Sequence, residues 1–170
     1  KEKEADAAQA LFVHPASDFL TLQALWERFH ENAPDGKPSG RLRRFCRDHF
    51  LSFRRMKEWR DVHGQLREIV EEEAPAHGGR ARAKAPGGDP RAWYGRIHRS
   101  VLSGYLSNIA VKKEKNTYNA AGGREVVLFP GSGLYNRGGD WIVAAELVET
   151  TQLFARTAAN IDRDWLEALG

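Results

Sequence analysis

The 170-residue chain carries 26 Lys and Arg against 23 Asp and Glu, a net +3, with 41% hydrophobic residues, a balance that suits one globular domain or two small ones. No apolar run approaches the roughly 20 residues of a membrane span, and Lys1-Glu2-Lys3-Glu4 is too charged for a signal peptide, so the expected setting is cytoplasmic. The single cysteine, Cys46, has no partner for an internal disulfide.

Residues 1–9 are polar and alanine-rich, a frayed or helical lead-in. After Ser17, a good N-cap, Phe19, Leu22, Leu25, Trp26 and Phe29 recur on one helical face. Asn32 to Pro38, with two prolines and a glycine, predicts a connecting loop. A second helix follows Ser39 with the stripe Leu42, Phe45, Cys46, His49 and Phe50. A third follows Ser52 with Phe53, Met56, Trp59, Val62, Leu66, Ile69 and Val70. Residues 1–73 therefore read as a helical domain.

Charge concentrates in that half. Between Lys37 and Arg67 stand ten basic side chains against Asp48, Glu58 and Asp61, a local +7. Such a stretch can track a phosphate backbone, each neutralised phosphate releasing counterions. It can equally be a solvated helix face whose long stems cover apolar surface.

Residues 74–91 hold the Gly- and Pro-rich run Ala-Pro-Ala-His-Gly-Gly-Arg-Ala-Arg-Ala-Lys-Ala-Pro-Gly-Gly-Asp, including Arg80, Arg82 and Lys84, and read as a flexible linker. Beyond it Tyr94, Ile97, Val101 and Tyr105 mark a short helix, and the period then changes. Residues 107–111, 117–120, 124–129, 140–148 and 153–158 predict five strands, and 162–169 a closing helix. Gly131-Ser132-Gly133 lacks the Gly-x-Ser-x-Gly frame of a nucleophile elbow and reads as a tight hairpin turn. The fold class is α+β: an N-terminal helical bundle, then a five-stranded OB-like antiparallel barrel over residues 92–170 with a closing C-terminal helix. A sheet with one helix packed against it is the alternative.

Six histidines, His14, His30, His49, His63, His77 and His98, and Cys46 show no metal-ligand spacing, so no metal site is expected. Cys46 lies on an apolar helical stripe and reads as core. No carboxylate pair or Ser/His/Asp set stands out as catalytic. The barrel offers the mixture that single-stranded nucleic acid needs, cations for phosphate and aromatics for stacking. The candidates there are Lys112, Lys113, Lys115, Tyr118, Arg124 and Arg137; in the helical half they are Arg43, Arg47, Arg54, Arg55 and Arg60. The competing reading makes Tyr118 and Tyr135 half-buried barrel aromatics and the lysines the guard of an edge strand. Arg156 can pair with Glu146 or Glu149 inside the sheet.

Several segments also carry a family resemblance. Phe129-Pro130-Gly131-Ser132-Gly133-Leu134, Trp141, the run Glu146 to Thr151, Arg156 and Trp165-Leu166 resemble the OB-type domain of DEAH-box RNA helicases, most closely the bacterial HrpA type. Upstream, Ser17-Asp18-Phe19-Leu20-Thr21-Leu22, Arg44-Phe45-Cys46, Phe50-Leu51-Ser52, 54–59 and Gln65-Leu66 resemble the helicase-associated, ratchet-like helical region. The resemblance implies a non-catalytic C-terminal fragment that holds single-stranded RNA and couples it to RecA-like motor domains of the same chain. ATP and Mg²⁺ belong, by the same resemblance, to the parent protein. The Gly-x-x-x-x-Gly-Lys-Ser/Thr loop and the Asp-Glu-Ala-His motif are absent from these residues, so no cofactor and no ATP hydrolysis are expected of them. A different class of function is a protein-interaction module, with RNA contact incidental.

Overall fold

The computed structural model describes residues 2–33, 39–73 and 89–167. Residues 34–38 of the loop expected from Asn32 to Pro38, most of the linker with Arg80, Arg82 and Lys84, and the last residues of the expected closing helix lie outside them. The chain divides into two compact units, Lys1–Leu11 with Glu27–Gly88, and Phe12–Trp26 with Asp89–Gly170. The sequence reading instead assigns residues 12–26 to the helical half.

The first unit is helical. It contains α1 (Glu2–Gln9), the end of α2 (Asp18–Glu31), α3 (Gly40–Asp48) and α4 (Phe53–Glu73). Each boundary has a local cause. The hydroxyls of Ser17, Ser39 and Ser52 accept from the N–H groups of Leu20, Leu42 and Arg55, filling orphan donors at three helix starts. α3 ends in a Schellman-type turn, Leu51 N–H donating to Cys46 O and Phe50 N–H to Arg47 O. The residue that turns the chain there is Phe50 at φ 55°, a conformation usually left to glycine.

Leu42, Phe45 and Cys46 of α3 and Met56 of α4 are buried. Burial pushes the Cys46 thiol above its ordinary value, as a core residue requires. The expected stripe of α4 is buried only at its start. Val62, Leu66, Ile69 and Val70 are exposed.

The second unit is a closed five-stranded barrel of β1 (Ile109–Glu114), β2 (Thr117–Ala120), β3 (Glu125–Leu128), β4 (Trp141–Glu149) and β5 (Leu153–Asn160), ordered β1-β2-β3-β5-β4. Four pairings are antiparallel, and β3 with β5 is parallel, Val127 opposite Phe154 and Leu128 opposite Ala155. Period-two alternation turns Tyr118 and Ala120, Val126 and Leu128, and Ile142 and Ala144 inward, and Leu134 and, from β5, Ala155 and Ala158 join them. The alanines let strands close around the one large ring, Tyr118. A second cluster, Leu102, Val143, Ala159 and Ile161, packs with Phe19, Trp141, Trp165 and Leu166. It joins the barrel wall to α2, α5 (Pro90–Gly104) and α6 (Asp164–Glu167).

The segment 129–140 is not the tight hairpin that its glycines suggest, because β3 and β4 are not neighbours in the barrel. It is a chain of turns, Ser132 N–H to Phe129 O, Tyr135 N–H to Ser132 O and Arg137 N–H to Leu134 O. Its glycines serve close approach: a Cβ on Gly133 would stand 2.7 Å from His14 O, and one on Gly138 would collide with the Tyr118 hydroxyl.

Candidate nucleic-acid interface

One carboxylate explains why residues 12–26 belong to the barrel unit. Asp18, in the first turn of α2, accepts from Ser132 Oγ at 2.6 Å, Gly133 N–H at 2.8 Å and Ala158 N–H at 2.9 Å. Its negative charge also suits a helix N-terminus. The partners lie 114 to 140 residues away, so no local pattern discloses them. The backbone adds to this tie, with a bridge between Ser17 and Ala159 and a bond from Asn160 N–H to Ala16 O.

Beside it, Ser17 Oγ and His98 Nε2 are 2.6 Å apart, and His98 Nδ1 donates to Tyr94 O at 2.7 Å. With Nδ1 donating to a carbonyl, the neutral ring accepts at Nε2 from the serine hydroxyl. A hydroxyl on an oriented imidazole has the form of a nucleophile and base. Ser17 and His98 are nevertheless both 0% exposed, and burial lowers the His98 pKa below its ordinary value. No substrate reaches the pair, so it is a buried structural bond. His98 also stacks on Tyr94, whose pKa burial raises.

The basic residues of the barrel fall into separate groups. The β1–β2 turn and the 129–140 segment are clamped by reciprocal asparagines. Asn116 Nδ2 donates to Asn136 Oδ1 at 2.9 Å, and Asn136 N–H donates to Asn116 Oδ1 at 2.7 Å. This clamp holds the turn that carries the exposed Lys115 against the segment that carries the exposed Arg137. Lys112 is half-buried and donates from Nζ to Gly138 O at 2.7 Å, bracing the same segment. Lys113 forms an ion pair with Glu125 on the outer face. Arg124 is exposed at the opposite end of the β2–β3 hairpin, its Nε 3.3 Å from Ala121 O.

Tyr118 has to be withdrawn as a stacking residue. It is 0% exposed, and its hydroxyl donates to Gly139 O at 2.8 Å. Desolvation, with the Asp140 charge second, pushes its pKa up to about 12. Its inward position in the strand alternation leaves no face for a base, which is the barrel-aromatic alternative with full burial.

In the helical unit, Arg43, Arg47, Arg54 and Arg55 are exposed. Arg43 lies over the Phe53 ring at 4.4 Å, Arg47 reaches Asp48 at 3.4 Å, and Arg54 reaches Glu58 at 2.8 Å. Arg60 is half-buried beside Asp61 at 3.5 Å. Much of this charge is therefore matched along its own helix, and exposed pairs of this kind add only about 0–1 kcal/mol each to stability. The pair with Glu146 or Glu149 that the sequence leaves open to Arg156 is not formed. Arg156 lies opposite Glu146 in the β4–β5 register, yet its guanidinium sits 4.3 Å over the Phe129 ring.

Among the described residues no cluster of His, Cys, Asp or Glu is arranged to hold a metal ion, and no helix is long and apolar enough to cross a membrane.

Residues 97–170 match the family model described as the oligonucleotide/oligosaccharide-binding (OB)-fold. The chain is 36% identical over 168 residues to the ATP-dependent RNA helicase HrpA of Escherichia coli, and 34% identical over 170 residues to an HrpA homolog of Haemophilus influenzae. These alignments cover 98% and 99% of this chain but 12% of each relative, so the chain spans about an eighth of their length. Barrel and sequence together put residues 97–170 in the OB-fold family, and they set the whole chain beside one segment of the HrpA-type helicases.

Proposed function

We propose that this chain is the non-catalytic, RNA-contacting part of a DEAH-box ATP-dependent RNA helicase. It holds the backbone of single-stranded RNA and passes its movement to RecA-like motor domains, where ATP and Mg²⁺ act. The observation that carries this reading is an OB barrel in which Asn116 and Asn136 bind the turn bearing the exposed Lys115 to the segment bearing the exposed Arg137. Cations held in this way meet phosphates without reading sequence. Arg43, Arg47, Arg54, Arg55 and Arg60 form a second basic set on α3 and α4, and Lys112, Lys113 and Arg124 complete the barrel set. The helicase names of the relatives agree with this role.

The test is fluorescence anisotropy of a labelled oligouridylate with the 170-residue chain across a salt series. Affinity falls steeply with salt, and Lys115→Gln and Arg137→Gln each reduce the slope of log K against log salt by about 0.7, the single-strand value per phosphate. Salt-independent binding, or none, overturns the reading in favour of a protein-docking module.

A further inference from the structure

A cavity of about 310 Å³ opens where the end of β3, the strands β4 and β5 and the first turns of α2 meet, within the barrel unit. Its wall includes Phe129, Arg156, Glu146, Thr157, Asp18 and Ser132. That volume lies at the small end of ligand pockets.

Three features make it more than a surface dent. Glu146 and Arg156 are register partners on one face of β4 and β5, where opposite charges ordinarily pair. Arg156 instead stacks on Phe129, which is itself held edge-on by Phe154, and the exposed Glu146 carboxylate is left free to accept hydrogen bonds. Between Arg156 and Ala158 the β4–β5 ladder keeps its register on both sides but skips Thr157, whose φ is 53°. A β-branched residue in that region costs about 1–3 kcal/mol and persists only where its surroundings hold it. Here Asp18 accepts from the N–H of Ala158, the residue that follows.

The charge of the lining selects the ligand. Two carboxylates, Asp18 and Glu146, stand against one guanidinium, which disfavours a phosphate. A flat neutral group that stacks on a guanidinium plane and donates N–H bonds to a carboxylate fits the same lining. Nucleobases stack on arginine in this way. Among them guanine presents two parallel donors, N1–H and N2–H, to a single carboxylate, whereas adenine and cytosine offer one exocyclic amine and uracil one imino group flanked by carbonyls.

The geometry points to a guanine-accepting subsite, Arg156 on Phe129 supplying the stacking plane and Glu146 the hydrogen-bond acceptor. This rests on the single-stranded RNA reading and adds base preference to it. Phe129 follows directly on Leu128, whose N–H donates to Asn116 O, so the pocket adjoins the turn that carries Lys115.

The experiment compares an oligouridylate with the same oligomer carrying one internal guanosine, inosine or adenosine, each bound to the 170-residue chain. Guanosine tightens binding about tenfold, as a bidentate base contact does. Inosine, without N2–H, gives a smaller gain, and adenosine none. Glu146→Gln removes the guanosine advantage and leaves affinity for oligouridylate unchanged. Because Glu146 is exposed, this variant keeps the unfolding midpoint of the parent chain. Equal affinity for all four oligomers, or a preference for adenosine, overturns the subsite while the RNA reading stands. If no oligomer binds, that reading fails, and titration of guanosine monophosphate followed at the Gly133 and Ala158 amides decides the subsite by itself. Shifts at those amides that Glu146→Gln abolishes support it, and their absence overturns it.

Discussion

In the helical unit α4 leaves Val62, Leu66, Ile69 and Val70 open to solvent, while in the barrel unit every strand places side chains in one closed core. Polar groups follow the same division. The salt bridges along α4, Arg54–Glu58, Arg60–Asp61 and Arg67–Glu71, are between near neighbours, whereas Asp18, Ser17 and His98 make bonds that span 81 to 140 residues. One unit is organised by local helix rules, the other by contacts distant in sequence. Stability should therefore be concentrated in the barrel, and the helical unit should respond mainly to local substitutions.

Native-state hydrogen exchange, read amide by amide, can break this contrast. The largest effect is expected from Leu128→Ala, which empties a fully buried site and lowers barrel stability by about 3 kcal/mol. Leu66→Ala on the exposed part of α4 changes stability by less than about 0.5 kcal/mol. Comparable losses from the two would abolish the distinction.

Asp18→Ala comes next. It strips a carboxylate from three donors, lowers barrel stability by about 2–3 kcal/mol, and speeds exchange at Gly133 and Ala158 without affecting α3.

Acid sharpens the comparison without any mutation. Burial lowers the His98 pKa from its ordinary 6.5, so the unfolded chain binds this proton more readily than the folded one. The stabilisation is present above pH 6.5 and is lost as the pH falls through the folded-state value. Protection of barrel amides should decline over that range in urea-destabilised samples, and His98→Gln should remove the pH-dependent part. An unchanged acid profile in the variant would assign the effect to another group.

The smallest effect belongs to the helical unit. Phe50→Gly relieves the left-handed turn after α3 and raises the local stability of α3 and α4 by about 0.5 kcal/mol, visible as slower exchange at Leu51.

Where the cause was local, the structure was legible in the sequence. Ser17, Ser39 and Ser52 announce the starts of α2, α3 and α4, and the change to period two announces five strands near their observed places. Cys46 reads as core for the same reason. The fate of α4 beyond Trp59 was not legible, because periodicity reports an apolar face and not what covers it. Nor was the parallel closure of β3 on β5, which depends on strand order. For the interface, the exposed Lys115, Arg124 and Arg137 follow from loop composition, but the inward turn of Tyr118 depends on strand phase. The preference of Arg156 for Phe129 over Glu146 depends on where a distant ring lies. Asp18 is the clearest case: its neighbours in sequence identify a helix start, and its partners lie across the barrel.

The Asp18 bracket has a practical consequence for where this domain can be cut. The family match begins at residue 97, and a piece trimmed to that boundary would lack Asp18, the bridge residue Ser17 and the Ala16 carbonyl. The Ala158, Gly133 and Asn160 amides would lose their acceptors, and His98 its serine. The portion that folds as this barrel is thus discontinuous along the chain, its last fitting supplied from near the opposite end of the sequence. Asp18 and the short backbone bridge beside it, with the packing of Phe19 and the Ser17–His98 bond, make the first turn of α2 a working part of the barrel wall.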